Sequence, residues 1–124
     1  MAEGKIYIAL IIDPEGGFKD YARSILTEKG YQVIESQSEE SGYDLLKKNK
    51  PDFVICSDYL PGSSGLGFYF NIRQITKEWE PRFVLVLLSR HYYKFPQGFY
   101  DPEKFRMLEY GFTESQLMNA LLEP

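Results

Sequence analysis

Pro51-Asp52-Phe53-Val54-Ile55-Cys56-Ser57-Asp58-Tyr59-Leu60-Pro61-Gly62 is the stretch that decides the fold. A proline opens it, Phe53–Cys56 run apolar without alternation, and two polar residues, Ser57 and Asp58, close the run before Pro61-Gly62 turns the chain. A short unbroken apolar run bounded by prolines reads as a strand covered on both faces, the pattern of a parallel sheet. Two more runs share that character, Ile6–Ile12 upstream and Phe83–Leu88 downstream. Between them the period changes to that of a helix. Phe18, Tyr21, Ala22, Ile25 and Leu26 make one apolar stripe, and Gly30 supplies the left-handed residue that stops it. A short strand at Tyr31–Glu35 follows. A second helix over Glu39–Asn49 has Ser38 as N-cap and Leu45 and Leu46 facing inward, and Pro51 ends it.

Downstream of the central run, the turn-rich loop Pro61–Gly65 leads into a third helix from Leu66 to Trp79. Its stripe is Leu66, Tyr69, Ile72, Ile75 and Trp79. Pro81 opens the strand that ends at Ser89. The last helix is signposted by Thr113 as N-cap with Gln116 three residues on, a capping box, and by the stripe Leu117, Ala120 and Leu121. A fifth strand falls at Phe105–Glu109. Strands alternating with helices imply right-handed crossovers and an open parallel sheet in a single α/β domain spanning 1–124. The irregular part is Arg90–Tyr100. Pro96 and Gly98 oppose a regular helix there, so the fourth helix is expected to be degenerate or replaced by an aromatic-rich segment, with one short turn at Asp101-Pro102-Glu103.

Composition narrows the function. The 124 residues carry a net charge of −4, and the densest basic run is only Lys47, Lys48 and Lys50, which argues against direct nucleic-acid or anionic-membrane binding. A lone Cys56 excludes an internal disulfide and a cysteine-rich zinc site, and reads as a small core residue. The single histidine, His91, argues against a histidine metal site or triad and reads as a loop residue. The longest apolar stretch near the start, Ile6–Ile12, is far shorter than the roughly 20 residues that cross a bilayer. No cleavable leader is visible, and the expectation is a cytoplasmic chain. Met1 reads as a native start, while the ending at Pro124 leaves a longer parent chain open.

In open α/β sheets the reactive groups lie beyond the carboxyl ends of the strands. Those ends hold Asp13 and Pro14, Ser57 and Asp58, Ser89, and Tyr110. Ile11-Ile12-Asp13-Pro14-Glu15, the Pro51–Gly62 stretch with Gly65-Leu66, and Tyr110-Gly111-Phe112-Thr113 resemble the receiver domain of two-component response regulators over nearly the whole chain. The spacings agree, with 17 residues from Asp13 to Gly30 and 21 from Ser89 to Tyr110. The resemblance implies a flavodoxin-like, three-layer (βα)5-type fold with a five-stranded parallel sheet of order 2-1-3-4-5. It also implies a signalling module rather than an enzyme.

Receivers of this kind have an acid pair after strand one, a phosphoacceptor Asp closing strand three, a Ser/Thr closing strand four and a Lys closing strand five. Here the acid pair falls on Asp13-Pro14, the phosphoacceptor on Ser57, the hydroxyl on Ser89 and the Lys on Tyr110, so only Asp13 and Ser89 match. A serine without an adjacent base is a poor acceptor, one carboxylate is a weak anchor for Mg²⁺, and Tyr110 carries no positive charge. The expectation is a degenerate pseudo-receiver that needs no phosphorylation and no cofactor.

Asp58 is the alternative phosphoacceptor, with a rearranged Mg²⁺ site around Asp13. Alternation along the strand points Asp58 away from Ser57 and favours a solvated strand-end acid or a cap in the Pro-Gly loop. Asp13 is the one candidate metal ligand, and a strand-end Asp before Pro more often bonds nearby backbone N–H groups. Ser89 reads as a structural hydroxyl. Gly16-Gly17 lack any phosphate-loop frame and read as a flexible turn.

Eight Tyr or Phe residues fall between positions 92 and 112. Tyr92, Tyr93, Phe95, Phe99 and Tyr100 either cover the sheet or form an interface. The resemblance places a partner or output domain on the helix 4–strand 5–helix 5 face, with homodimerisation there left open. A small-molecule binder in a flavodoxin-like crevice, stacking a flat ligand on spare aromatics, is the reading from a different class.

Overall fold

Side chains on successive residues of a strand face opposite ways, and this chain fills both faces. The computed structural model describes residues 4–88 and 101–122. In order they form β1 (Ile8–Ile12), α1 (Lys19–Glu28), β2 (Gln32–Ser36), α2 (Glu39–Asn49), β3 (Phe53–Ser57), β4 (Tyr59–Leu60), β5 (Ser63–Ser64), α3 (Gly65–Ile72), β6 (Arg82–Leu87), β7 (Phe105–Glu109) and α4 (Glu114–Leu122). One sheet of order β2-β1-β3-β6-β7 is parallel throughout, as expected, and β4 pairs with β5 in a small antiparallel ribbon.

Ala9, Ile11, Ile55, Val84 and Val86 pack with Ala22, Ile25 and Leu26 of α1 and Leu117, Ala120 and Leu121 of α4. The alternate residues Leu10, Ile12, Val54, Cys56, Phe83 and Leu85 pack with Leu46 of α2 and Phe68, Tyr69 and Ile72 of α3. Each fully buried large aliphatic chain contributes about 2 kcal/mol of transfer free energy, so these two layers hold the sheet. On the second face the rings of Phe83 and Phe105 stack at 5.9 Å, and Tyr69 lies 4.6 Å from Phe105.

The local stops match the sequence reading. Gly30, at φ +88°, follows α1 and its N–H donates to the Thr27 carbonyl. The Ser38 hydroxyl accepts from the Ser41 amide at the start of α2. Thr113 and Gln116 exchange side-chain and backbone hydrogen bonds in both directions at 2.8 and 3.1 Å.

Two elements differ from expectation. The helix expected over Leu66–Trp79 ends at Ile72, and turns continue to Trp79. The Thr76 hydroxyl donates to the Arg73 carbonyl there, a local bond that competes with the helical ladder, while the Trp79 indole N–H is drawn to the Pro51 carbonyl. The loop after β3 is partly ordered as the β4–β5 ribbon. The doubtful fourth helix, with Tyr92, Tyr93, Phe95, Phe99 and Tyr100, lies outside the described residues, as do Ser89 and His91; the turn expected at Asp101-Pro102-Glu103 is present.

Gly65 shows how tightly the loop after β3 closes. Its N–H donates to the Asp58 carbonyl at 3.0 Å, and a Cβ built on it would lie 2.1 Å from the Ser57 carbonyl oxygen and 2.6 Å from Leu85 Cδ1. Gly62 has φ +75° but open space around it. Gly65→Ala is therefore expected to cost about 3 kcal/mol by forcing backbone apart. Gly62→Ala should cost only the left-handed penalty of about 1 kcal/mol. Urea unfolding of the two variants beside the wild type checks the ranking.

Candidate functional site

The carboxyl ends of β1, β3 and β7 lie at one end of the sheet and bring Asp13, Ser57, Asp58 and Tyr110 there. Asp13 is fully buried. By strand parity it faces the same side as Ile11, toward α1, and its Oδ2 accepts hydrogen bonds from the backbone N–H groups of Phe18 at 2.8 Å and Lys19 at 3.0 Å. The first amides of a helix have no partner within it, so this carboxylate caps α1 in place of Phe18, the N-cap residue, whose side chain makes no such bond. The expected backbone-bonding role of Asp13 is thus observed. Its other oxygen, Oδ1, is buried and without a hydrogen-bond partner. Pro14 adds no donor side chain beside it. Gly16, at φ +74°, closes the turn with its N–H donating to the Asp13 carbonyl at 3.2 Å.

Ser57 is fully buried, and its hydroxyl oxygen accepts from the Tyr59 N–H at 3.0 Å. That bond turns the chain out of β3 into the ribbon. Asp58 departs from the solvated acid expected of it: it is only 7 % exposed, and its Oδ1 accepts from the Leu88 N–H at 3.1 Å. Its own N–H donates to the Val86 carbonyl, and its carbonyl accepts from Gly65. The reason is that β6 ends at Leu87, which leaves the next amide without a ladder partner, and the Asp58 carboxylate supplies one across the strand pair. The expected solvation failed because the partner amide, on Leu88, lies 30 residues away in sequence.

Cys56 sits beneath these groups as the small core residue expected. Burial pushes its thiol well above the ordinary value, and the carboxylates of Glu39, Asp58 and Asp13 push it further in the same direction. Tyr110 is 55 % exposed, and its ring edge lies 3.5 Å from where a Cβ on Gly17 would stand. Its backbone N–H donates to the Leu87 carbonyl, which ties the end of β7 to β6. Among the described residues no group of three or more His, Cys, Asp or Glu side chains is placed to hold a metal ion, and no helix is long and apolar enough to cross a membrane.

The doubly covered parallel sheet of order β2-β1-β3-β6-β7, with polar residues at its carboxyl edge, defines a flavodoxin-like α/β domain. The response regulator receiver domain model matches residues 9–121, and the chain belongs to that family. Among solved structures, it resembles a CheY-like receiver domain from Methylobacillus flagellatus, with a TM-score of 0.77 and 21 % identity over 91 % of this chain and 93 % of that one. It also resembles the signal receiver domain of an HD domain-containing protein from Pseudomonas fluorescens Pf-5, with a TM-score of 0.79 and 18 % identity over 94 % and 92 % of the two chains. A probable transcriptional regulator, ycf29, from Cyanophora paradoxa is 36 % identical over 64 residues, which are 52 % of this chain and 30 % of that protein. The phosphate regulon transcriptional regulatory protein PhoB of Escherichia coli K12 is 25 % identical over 79 residues, 64 % of this chain and 33 % of PhoB. The match thus spans about a third of the length of these regulators.

Removing the Asp13 carboxylate leaves the Phe18 and Lys19 amides without their acceptor at a buried helix end. Asp13→Ala is expected to lower stability by about 2 kcal/mol. Asp13→Asn, which keeps one carbonyl oxygen, should lose less. Chemical denaturation of both variants checks the order, and equal losses would contradict the capping role.

Proposed function

We infer that this receiver domain regulates by protein–protein contact and without aspartyl phosphorylation. The observation that carries the reading is the state of the phosphoacceptor position: Ser57 is wholly buried, and its hydroxyl oxygen already serves the Tyr59 amide. No histidine or carboxylate is bonded to that hydroxyl to raise its nucleophilicity among the described residues. The residues also do not fit the family's Mg²⁺. Asp13 Oδ2 is shared by two backbone amides, Oδ1 is sealed from solvent, Pro14 brings no oxygen donor side chain, and a Mg²⁺ site needs several accessible hard oxygens in a near-octahedral array. Tyr110 replaces the ammonium that would balance an incoming phosphoryl group.

Asp58 as substitute acceptor has less in its favour. Its carboxylate is nearly sealed and holds the Leu88 amide, so in-line attack would first have to break a bond that fixes the end of β6. The regulators it resembles include transcriptional regulators. A partner protein or an attached output domain, which could itself bind nucleic acid, is the target this reading favours. The family's helix 4–strand 5–helix 5 face is the contact surface, with a homodimer as one form of the same contact.

Incubation of the purified chain with acetyl phosphate and Mg²⁺, followed by intact-mass spectrometry, is expected to give no gain of a phosphoryl group. A stoichiometric, hydroxylamine-labile adduct overturns the reading, and its loss in Asp58→Ala would assign it to that residue. Ser57→Asp alone is expected to stay unphosphorylated in the same assay, since Pro14 and Tyr110 still withhold charge compensation. The triple change Ser57→Asp, Pro14→Asp, Tyr110→Lys should restore the adduct; phosphorylation of the single variant would show that the deficit lies at position 57 alone.

A further inference from the structure

β7 lies at one edge of the sheet, and among the described residues its one strand partner is β6. In a parallel pair the bonds to the neighbouring strand fall on alternate residues. The Phe83 N–H donates to the Lys104 carbonyl at 2.7 Å, and the Tyr110 N–H donates to the Leu87 carbonyl at 3.0 Å. With that register, Lys104, Arg106, Leu108 and Tyr110 serve β6. The N–H and C=O groups of Met107 and Glu109 therefore point out of the sheet. Among the described residues no hydrogen bond reaches them.

A groove of about 480 Å³ runs beside this edge, with residues 106–110 on one side and Gln116, Asn119 and Ala120 of α4 on the other. Unused backbone groups two residues apart along a strand repeat at about 7 Å, the spacing of a second extended chain. A helix uses its own N–H and C=O groups internally and offers nothing to such a row. Antiparallel pairing is the more stable form per residue. Charge adds a preference at one position. Glu109 is exposed and forms no ion pair among the described residues, so a basic residue directly opposite it gives a favourable cross-strand pair.

We propose that the outer edge of β7 takes up an extended segment of a partner protein as an added antiparallel strand, with a lysine or arginine opposite Glu109. Main-chain hydrogen bonds at Met107 and Glu109 hold the segment, and the groove beside α4 receives its side chains. The inference rests on the reading of the domain as a protein-contact module and names the form of that contact.

Hydrogen exchange and ¹H–¹⁵N NMR on the whole chain test it. Without a partner, the Met107 and Glu109 amides are expected to exchange freely while the Leu108 amide, bonded to β6, exchanges slowly. The probe is a capped heptapeptide of alternating Val and Thr with a central Lys, which favours the extended form. It should give saturable shifts at Met107 and Glu109 and slow their exchange. The same peptide N-methylated on its bonding edge should bind at least about tenfold more weakly, since it loses the main-chain bonds. Glu109→Pro, which deletes one outward N–H and leaves the β6 ladder intact, should weaken binding similarly, whereas Glu109→Gln should stay within about fivefold of the wild type. If the proline variant does not fold, the N-methylated peptide on the wild type decides. Protected Met107 and Glu109 amides in the free chain, no saturable shifts, equal binding of the N-methylated peptide, or binding only of a helical peptide of the same charge overturns the proposal. The phosphoryl mass assay on the same samples reports separately: an adduct there with normal peptide binding defeats the phosphorylation-independent reading and leaves the strand edge standing.

Discussion

The Asp13 carboxylate is the constraint on which the carboxyl edge of the sheet depends. It lies at the end of β1, which pairs with β2 on one side and β3 on the other, and it supplies the acceptor that α1 needs for its first amides. A helix end buried without such an acceptor loses hydrogen-bond energy at two backbone groups at once. Keeping Asp13 therefore preserves the fold whatever becomes of the family's chemistry. The same logic applies to Asp58, which completes the backbone of β6 through the Leu88 amide, and to Ser57, which turns the chain through Tyr59. Each polar side chain at the ends of β1 and β3 thus bonds to backbone.

The sheet and its two layers were legible because their information is repeated. Every residue of β1 from Ala9 to Ile12 is buried, and the same holds for all of β3 and most of β6, so no single substitution blurs the signal. Caps carried by one or two side chains were legible too: Ser38, Gly30 and the Thr113–Gln116 box each act within a few residues. Asp58 was misread because its partner, the Leu88 amide, is 30 residues away, and the need for it arises from where β6 stops. The early end of α3 was hidden for a related reason. The apolar stripe through Ile75 and Trp79 persists after the helix ends, because Trp79 is held by the distant Pro51 carbonyl and not by the helical ladder.

Charge links what can stand at position 57 to the groups around it. Beyond burial, the charges of Glu39, Asp58 and Asp13 each push the Cys56 thiol upward. An aspartate at position 57 would add another carboxylate at a position with no solvent exposure, and like charges in a poorly hydrated site repel strongly unless cations offset them. Receivers supply those cations as a metal ion and a lysine. With Pro14 and Tyr110 bringing no cation to the carboxyl edge, a neutral hydroxyl at 57 leaves fewer uncompensated charges than a carboxylate would.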